Sequence, residues 1–250
     1  MTDMTYNYAT TGLPPPAAGA TSGKPWGVWT TIAWCGVVSV LPLVLARALA
    51  GNHYLGQHLT IFLSWAVQLV PLVVAVIVRR AAVAQYLAWN VPRPAGVILA
   101  GTALLAWEMS WSGFWYLRSG GASIGFGTSF YRHYLAAGGS PLGYFYMWYP
   151  AIIYAPIVEE TIFRGFLWRG LAASRLGNGG AWLLTSALFV AMHIDGHRSF
   201  AQLITVGVCG SIFGLVRWRT GSTIASMLTH SLSNLLVTGG SVVAAALGWP

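Results

Sequence analysis

Residues 155–170 read Ala-Pro-Ile-Val-Glu-Glu-Thr-Ile-Phe-Arg-Gly-Phe-Leu-Trp-Arg-Gly. Two adjacent glutamates, Glu159 and Glu160, stand in an otherwise apolar run, and Arg164 follows four residues after Glu160. The whole chain carries only five acidic residues, Asp3, Glu108, Glu159, Glu160 and Asp195, so two side by side in such a run is an unusual placement. A charge near the centre of a bilayer costs about 2.5–3.5 kcal/mol on insertion scales, and charged groups kept there are as a rule buried, paired and functional. On a helix, Glu160 and Arg164 share a face and can pair. Glu159 lies about 100° away and is left to address something else, such as a water. A structural clasp between helices accounts for one Glu–Arg pair. It leaves the second carboxylate without a local partner.

The composition around this stretch is that of a membrane protein. Hydrophobic residues make up 56% of the chain and charged residues only 7%, with a mean hydropathy of +0.64. Soluble domains carry about 25% charged residues, so an ordinary soluble globule is excluded. The alternating pattern of a membrane β-barrel is absent, which leaves an all-α bundle. The formal net charge of +8 could suggest nucleic acid. The basic residues, however, sit in short clusters between apolar runs, as topology requires. Cys35 and Cys209 both lie in apolar runs and read as packing residues, with no disulfide expected.

With about 20 apolar residues per span, seven spans are expected, at 26–48, 59–78, 95–117, 142–171, 181–194, 200–216 and 223–247. The fourth is too long for one straight crossing. It must tilt, kink at Pro150 or Pro156, or run on beyond the bilayer. Residues 81–93 read as a polar-ended linker, and 118–140 as a Gly- and Ser-rich loop with a short interfacial helix at 130–135. Residues 1–25 form a disordered tail, 26–250 a single membrane-embedded domain, and no cleavable signal peptide is expected. Outside the apolar runs, Lys24, Arg79, Arg80, Arg93, Arg169, Arg175, Arg217 and Arg219 fall on the amino-terminal side, against Arg47, Arg118, Arg132 and Arg198 on the other. That bias places the amino terminus in the cytoplasm.

Other polar groups recur in the later spans. His193 ends the fifth, with Phe189 one turn before it; His230 and Asn234, four apart, share a face of the seventh. Singly, each has a plain structural explanation: a hydrogen-bonded core histidine, or a polar pair that joins helices. Together with the glutamates they hold both parts that peptide hydrolysis needs. A carboxylate with a histidine can activate water, and a histidine with an asparagine can donate to an oxyanion.

The order Glu-Glu-x-x-x-Arg (Glu159, Glu160, Arg164), Phe-x-x-x-His (Phe189, His193) and His-x-x-x-Asn (His230, Asn234) resembles the CAAX protease and bacteriocin-processing family of intramembrane proteases. The resemblance covers about residues 142–240. It implies an endopeptidase acting on a hydrophobic or lipidated, CAAX-like peptide or protein, or on bacteriocin precursors, in a multi-pass protein of the bacterial inner membrane. It further implies that Glu159 and His193 activate the attacking water and that His230 and Asn234 form the oxyanion site. Arg164 and Phe189 would support the site, as would Glu160, which could also share the base role. Partners are the substrate and membrane lipids, with no nucleic acid.

Members of this family are often called metalloproteases, yet the glutamate mechanism requires no metal. A zinc ion is the alternative, with Glu159, His193 and His230 as its three protein ligands. Asp195 and His197 follow His193 at spacings of two, and no HExxH is present. Glu108 lies in the third span and is expected to pair with an arginine or a backbone group. Trp107, Trp111 and Trp115 read as packing or an interface belt, and Gly210 to Gly214 as a helix contact of the small-xxx-small type. A non-catalytic binding or bacteriocin-immunity protein that keeps the fold is the rival reading. A transporter with a proton relay is disfavoured by the lack of a repeat and of a broken helix pair.

Overall fold

A computed structural model describes residues 25–49, 57–79, 81–121, 148–194 and 199–247. The tail, the 130–135 segment, Asp195 and His197 lie outside the described residues. Among the described residues every regular element is helical. The elements are α1 (Val28–Leu49), α2 (Gln57–Val78), a single turn α3 (Val83–Tyr86), α4 (Pro94–Arg118), a continuous helix α5 over 150–172, α6 (Gly177–Ala191), α7 (Phe200–Thr220) and α8 (Thr223–Ala246). Within the described residues each expected apolar segment coincides with one long helix, and positions 142–147 of the fourth lie outside them. By length and composition α4 and α7 are apolar enough to cross a bilayer, and α1 and α2 hold shorter apolar stretches, Val28–Pro42 and Leu63–Val78. Helices α5 and α8 dilute their apolar content with Thr, Ser and other polar residues, and α6, at 15 residues, is apolar but short. Large apolar side chains nonetheless face outward, Ile98, Leu99 and Met109 among them at 68%, 72% and 67% exposure. A surface of that kind fits lipid better than water.

Helix α5 is the hub. It packs against α1, α2, α6 and α8, while α7 packs on α6, α8 and α4. Pro150, one of the two prolines at which a kink was expected as an alternative to tilt or overrun, opens the first of several changes of helical width in α5. The helix is π over Pro150–Tyr154, α over Ala155–Glu160, π again over Thr161–Leu167 and α over Trp168–Ala172. π turns are rare and concentrate at functional sites. Trp168, Phe166, Leu167 and Leu171 fill the centre of the bundle at 0–1% exposure. Between lipid-immersed helices, packing and hydrogen bonds replace the hydrophobic effect as the glue, which favours small residues at crossings. Gly170 is one, since a Cβ there would overlap the Thr31 side chain of α1. The Gly210–Gly214 pair is another: added Cβ atoms would meet Phe189 at 2.9 Å and Trp182 at 2.8 Å, both on α6.

The polar-ended linker at 81–93 is buried at its centre. Tyr86, Leu87 and Ala88 are buried to 0–1%, and Ala88 takes a positive φ of 52°. Buried backbone must find partners, and polar side chains from elsewhere supply them. Thr223 Oγ1 donates to Leu87 O at 2.6 Å and Thr223 N to Ala88 O at 2.9 Å. Ser222 Oγ donates to Asn90 O at 2.6 Å and Arg169 Nη1 to Gln85 O at 3.3 Å. The segment therefore clamps the α7–α8 turn to α5. Arg169 and Arg217, expected among the solvent-facing topology charges, are buried to 4% and 1%. Arg217 Nε donates to Arg164 O at 2.9 Å, so its cation serves packing.

Candidate active site

The α-helical turn Ala155–Glu160 points its two carboxylates in different directions. Glu160 is fully buried. Its Oε1 accepts from Arg164 Nη1 at 3.2 Å and from His230 Nδ1 at 3.0 Å. Arg164, also fully buried, crosses into the π stretch and gives Nη2 to Gly210 O at 2.6 Å. Its guanidinium lies over Phe189 at 4.7 Å. Glycine at 210 suits the contact with α6, because a Cβ there would meet Phe189 at 2.9 Å, while Arg164 Nη2 would lie at an ordinary contact distance of 3.5 Å. A buried ion pair is tolerable only when its remaining hydrogen-bonding groups are answered; α7 and α8 answer part of them, through Gly210 O and His230, while Glu160 Oε2 and Arg164 Nε are buried without a hydrogen bond.

Glu159 faces the other way, into a cavity of about 850 Å³. Its Oε2 is buried and accepts no hydrogen bond. The same cavity is lined by His193 from the end of α6 and by His230 and Asn234 from α8. Phe189 separates these groups. Its ring lies 4.6 Å from that of His193 and stands perpendicular to His230 at 5.8 Å. His230 is stacked on Phe213 at 4.6 Å.

Hydrogen bonds fix both imidazoles. His193 Nδ1 is 2.7 Å from Phe189 O. A carbonyl can only accept, so Nδ1 carries the proton and Nε2 of the neutral ring is the acceptor. The Glu160 carboxylate likewise holds the proton on His230 Nδ1. Only the imidazolium form of His230 then has an N–H left for another acceptor. Asn234 is held in a different manner. Ala155 N–H reaches back to Pro150 O, the long reach of a π turn. Pro156 has no N–H with which to repeat that bond at Ala151. Ala151 O accepts instead from Asn234 Nδ2 at 2.7 Å, leaving one N–H of the amide.

Thus Glu159, His193, His230 and Asn234 come together at one cavity, which Phe189 also lines, and Arg164 lies behind them. Glu160 does not line the cavity, and its position beneath His230 suits a support rather than a second base. Among the described residues no three His, Cys, Asp or Glu side chains are grouped to hold a metal ion, so Glu159, His193 and His230 do not form a ready ligand set.

Residues 141–236 match the family model described as type II CAAX prenyl endopeptidase Rce1-like. Residues 141–236 are an Rce1-like segment. The resemblance read from the three motifs is thereby shown over these residues, and it indicates a membrane-embedded protease. No curated protein and no solved structure matches the chain. The Rce1-like segment holds every motif residue, whereas α1 to α4 lie outside it.

Two features of the cavity escaped the sequence reading. Trp111 and Trp115, expected to pack or to form a belt, line it. Glu108, expected to pair with an arginine or a backbone group, lines it too. Its Oε1 accepts a weak bond from Cys209 Sγ at 3.8 Å, and its Oε2 is buried without a hydrogen bond. The only signal available beforehand was the i, i+3, i+7 spacing of 108, 111 and 115, which places them on one face of a helix.

Proposed function

We propose that the chain is a multi-pass intramembrane endopeptidase of the bacterial inner membrane, with its amino terminus in the cytoplasm, that cuts a hydrophobic or lipidated, CAAX-like substrate. The observation that carries this reading is the shared cavity. Glu159 presents an unpartnered carboxylate oxygen to the space where His193, His230 and Asn234 also converge. In this mechanism Glu159, aided by His193 Nε2, takes a proton from water as its oxygen attacks the scissile carbonyl carbon. His230, as the imidazolium held by Glu160, and the remaining Asn234 N–H donate to the oxyanion that forms. The carbon–nitrogen bond then breaks, and Glu159 returns the proton to the leaving amine. A lipid or prenyl chain on the substrate would stay in the bilayer, gaining about 0.8 kcal/mol per buried CH₂.

The test is cleavage of a panel of tagged peptides, prenylated and unmodified, by purified protein in lipid vesicles, with products read by mass spectrometry. The wild-type chain should cut at least one member. Glu159→Gln and His193→Ala should each lose roughly 10²- to 10⁴-fold in rate while remaining folded. Near-normal turnover by Glu159→Gln would remove Glu159 from the base role. No cleavage of any peptide by the wild-type chain would favour the non-catalytic binding or immunity reading.

A further inference from the structure

Glu108 is 3% exposed, lines the cavity and has half of its accepting capacity unanswered. A buried acceptor without a donor is costly unless an occupant supplies one. Three observations say what kind of occupant fits. The described lining holds two carboxylates, Glu108 and Glu159, and no lysine or arginine. Among the described residues, Arg164 behind the cavity is already engaged by Glu160 and Gly210 O. From Glu108 the lining continues along α4 with Trp111 and Trp115, whose rings meet edge to face at 5.9 Å. Trp111 is stacked with Trp107 at 5.3 Å and with Phe114 at 5.7 Å, so an aromatic cluster borders the carboxylate; aromatic rings beside a carboxylate attract ammonium or guanidinium groups, because the ring quadrupole and the charge act in the same sense. A neutral donor would satisfy the oxygen without answering the charge of a carboxylate.

We infer that Glu108, with Trp111 and Trp115, binds a cationic side chain of the substrate, so that the enzyme selects peptides with a lysine or arginine near the cut. The word substrate here rests on the protease reading. The selecting group stands on α4, outside the matched segment 141–236, so the preference belongs to this chain's own first half.

The experiment uses lipid-anchored fluorescent peptides in which one lysine is stepped through successive positions, each paired with a norleucine twin. Binding to the full chain in detergent is read by anisotropy in a His193→Ala background, which leaves both cavity carboxylates in place. At one position lysine should bind at least about tenfold tighter than norleucine. Glu108→Gln should bring that ratio to one, and Trp111→Leu, which keeps the carboxylate, should reduce it. A ratio of one at every position in the parent, or a ratio that survives Glu108→Gln, overturns the inference. Failure of the protease reading looks different: the lysine preference stands, but the wild-type chain cuts none of the peptides.

Discussion

Arg164 shows how one side chain can hold a site together without touching the cavity. It neutralises Glu160, ties α5 to the α7 backbone through Gly210 O and lies over Phe189. Removing it leaves a carboxylate buried with His230 as its remaining partner. We expect Arg164→Ala to lose roughly 3–5 kcal/mol of stability, seen as a lower melting temperature in detergent. Arg164→Ala combined with Glu160→Gln should recover part of that loss, since the stranded charge is gone. Equal stability of Arg164→Ala and the wild-type chain would show that the pair is not a structural element. The motif residues were legible in advance for one reason. Polar groups in apolar runs stand out, and Glu159, His193 and His230 have few other places to go. Glu108 was just as visible, but its partner was not. A cysteine 101 residues away leaves no mark in local spacing.

At the scale of elements, the π turns of α5 link the family motifs. The bond from Asn234 to Ala151 exists because Pro156 has no N–H to offer that carbonyl. Pro156→Ala supplies one. The restored backbone donor should compete for Ala151 O and release Asn234, lowering kcat with little change in melting temperature. Unchanged kcat would separate Asn234 from Pro156. Gly210→Ala tests the neighbouring contact. Its Cβ would sit 2.9 Å from a Phe189 carbon, and overpacking of that kind typically costs about 1–3 kcal/mol. A stable, fully active Gly210→Ala variant would count against a tight α6–α7 crossing. No residue pattern announced the π register. Proline marked where α5 had to deviate, and a kink and a π turn satisfy that constraint equally well on paper. The burial of the linker at 81–93 left no local mark either: its backbone carbonyls are met by Thr223, Ser222 and Arg169 from distant helices.

At the scale of the whole molecule, the helix positions followed from hydropathy, because lipid demands long apolar stretches. Orientation is harder to read, since Arg169 and Arg217 are buried and report on packing rather than on the membrane potential. Without them the Lys and Arg bias still favours a cytoplasmic amino terminus, by six to four. Metal use can be tested on the intact protein. Activity is expected to survive exhaustive chelation, on the ground that the described His, Cys, Asp and Glu side chains form no three-member cluster. Loss of activity on chelation, restored by stoichiometric zinc, would make the histidines ligands.

The partners of α5 also have a timetable. The chain is made from its amino end, and Glu160 must wait for His230, 70 residues later, while Arg164 must wait for Gly210, 46 residues later. At roughly 5–20 residues per second that delay is on the order of ten seconds. Through that interval the newborn helix carries two carboxylates, and of its two arginines only Arg164, four residues after Glu160, lies a turn away from them. Arg164 is therefore also a provisional counterion, present before the permanent partners exist. Pulse-labelled Arg164→Ala should show α5 inserted less efficiently during synthesis itself, even where the finished protein is rescued by low temperature. Normal insertion of the newborn variant would confine the arginine's role to the completed fold.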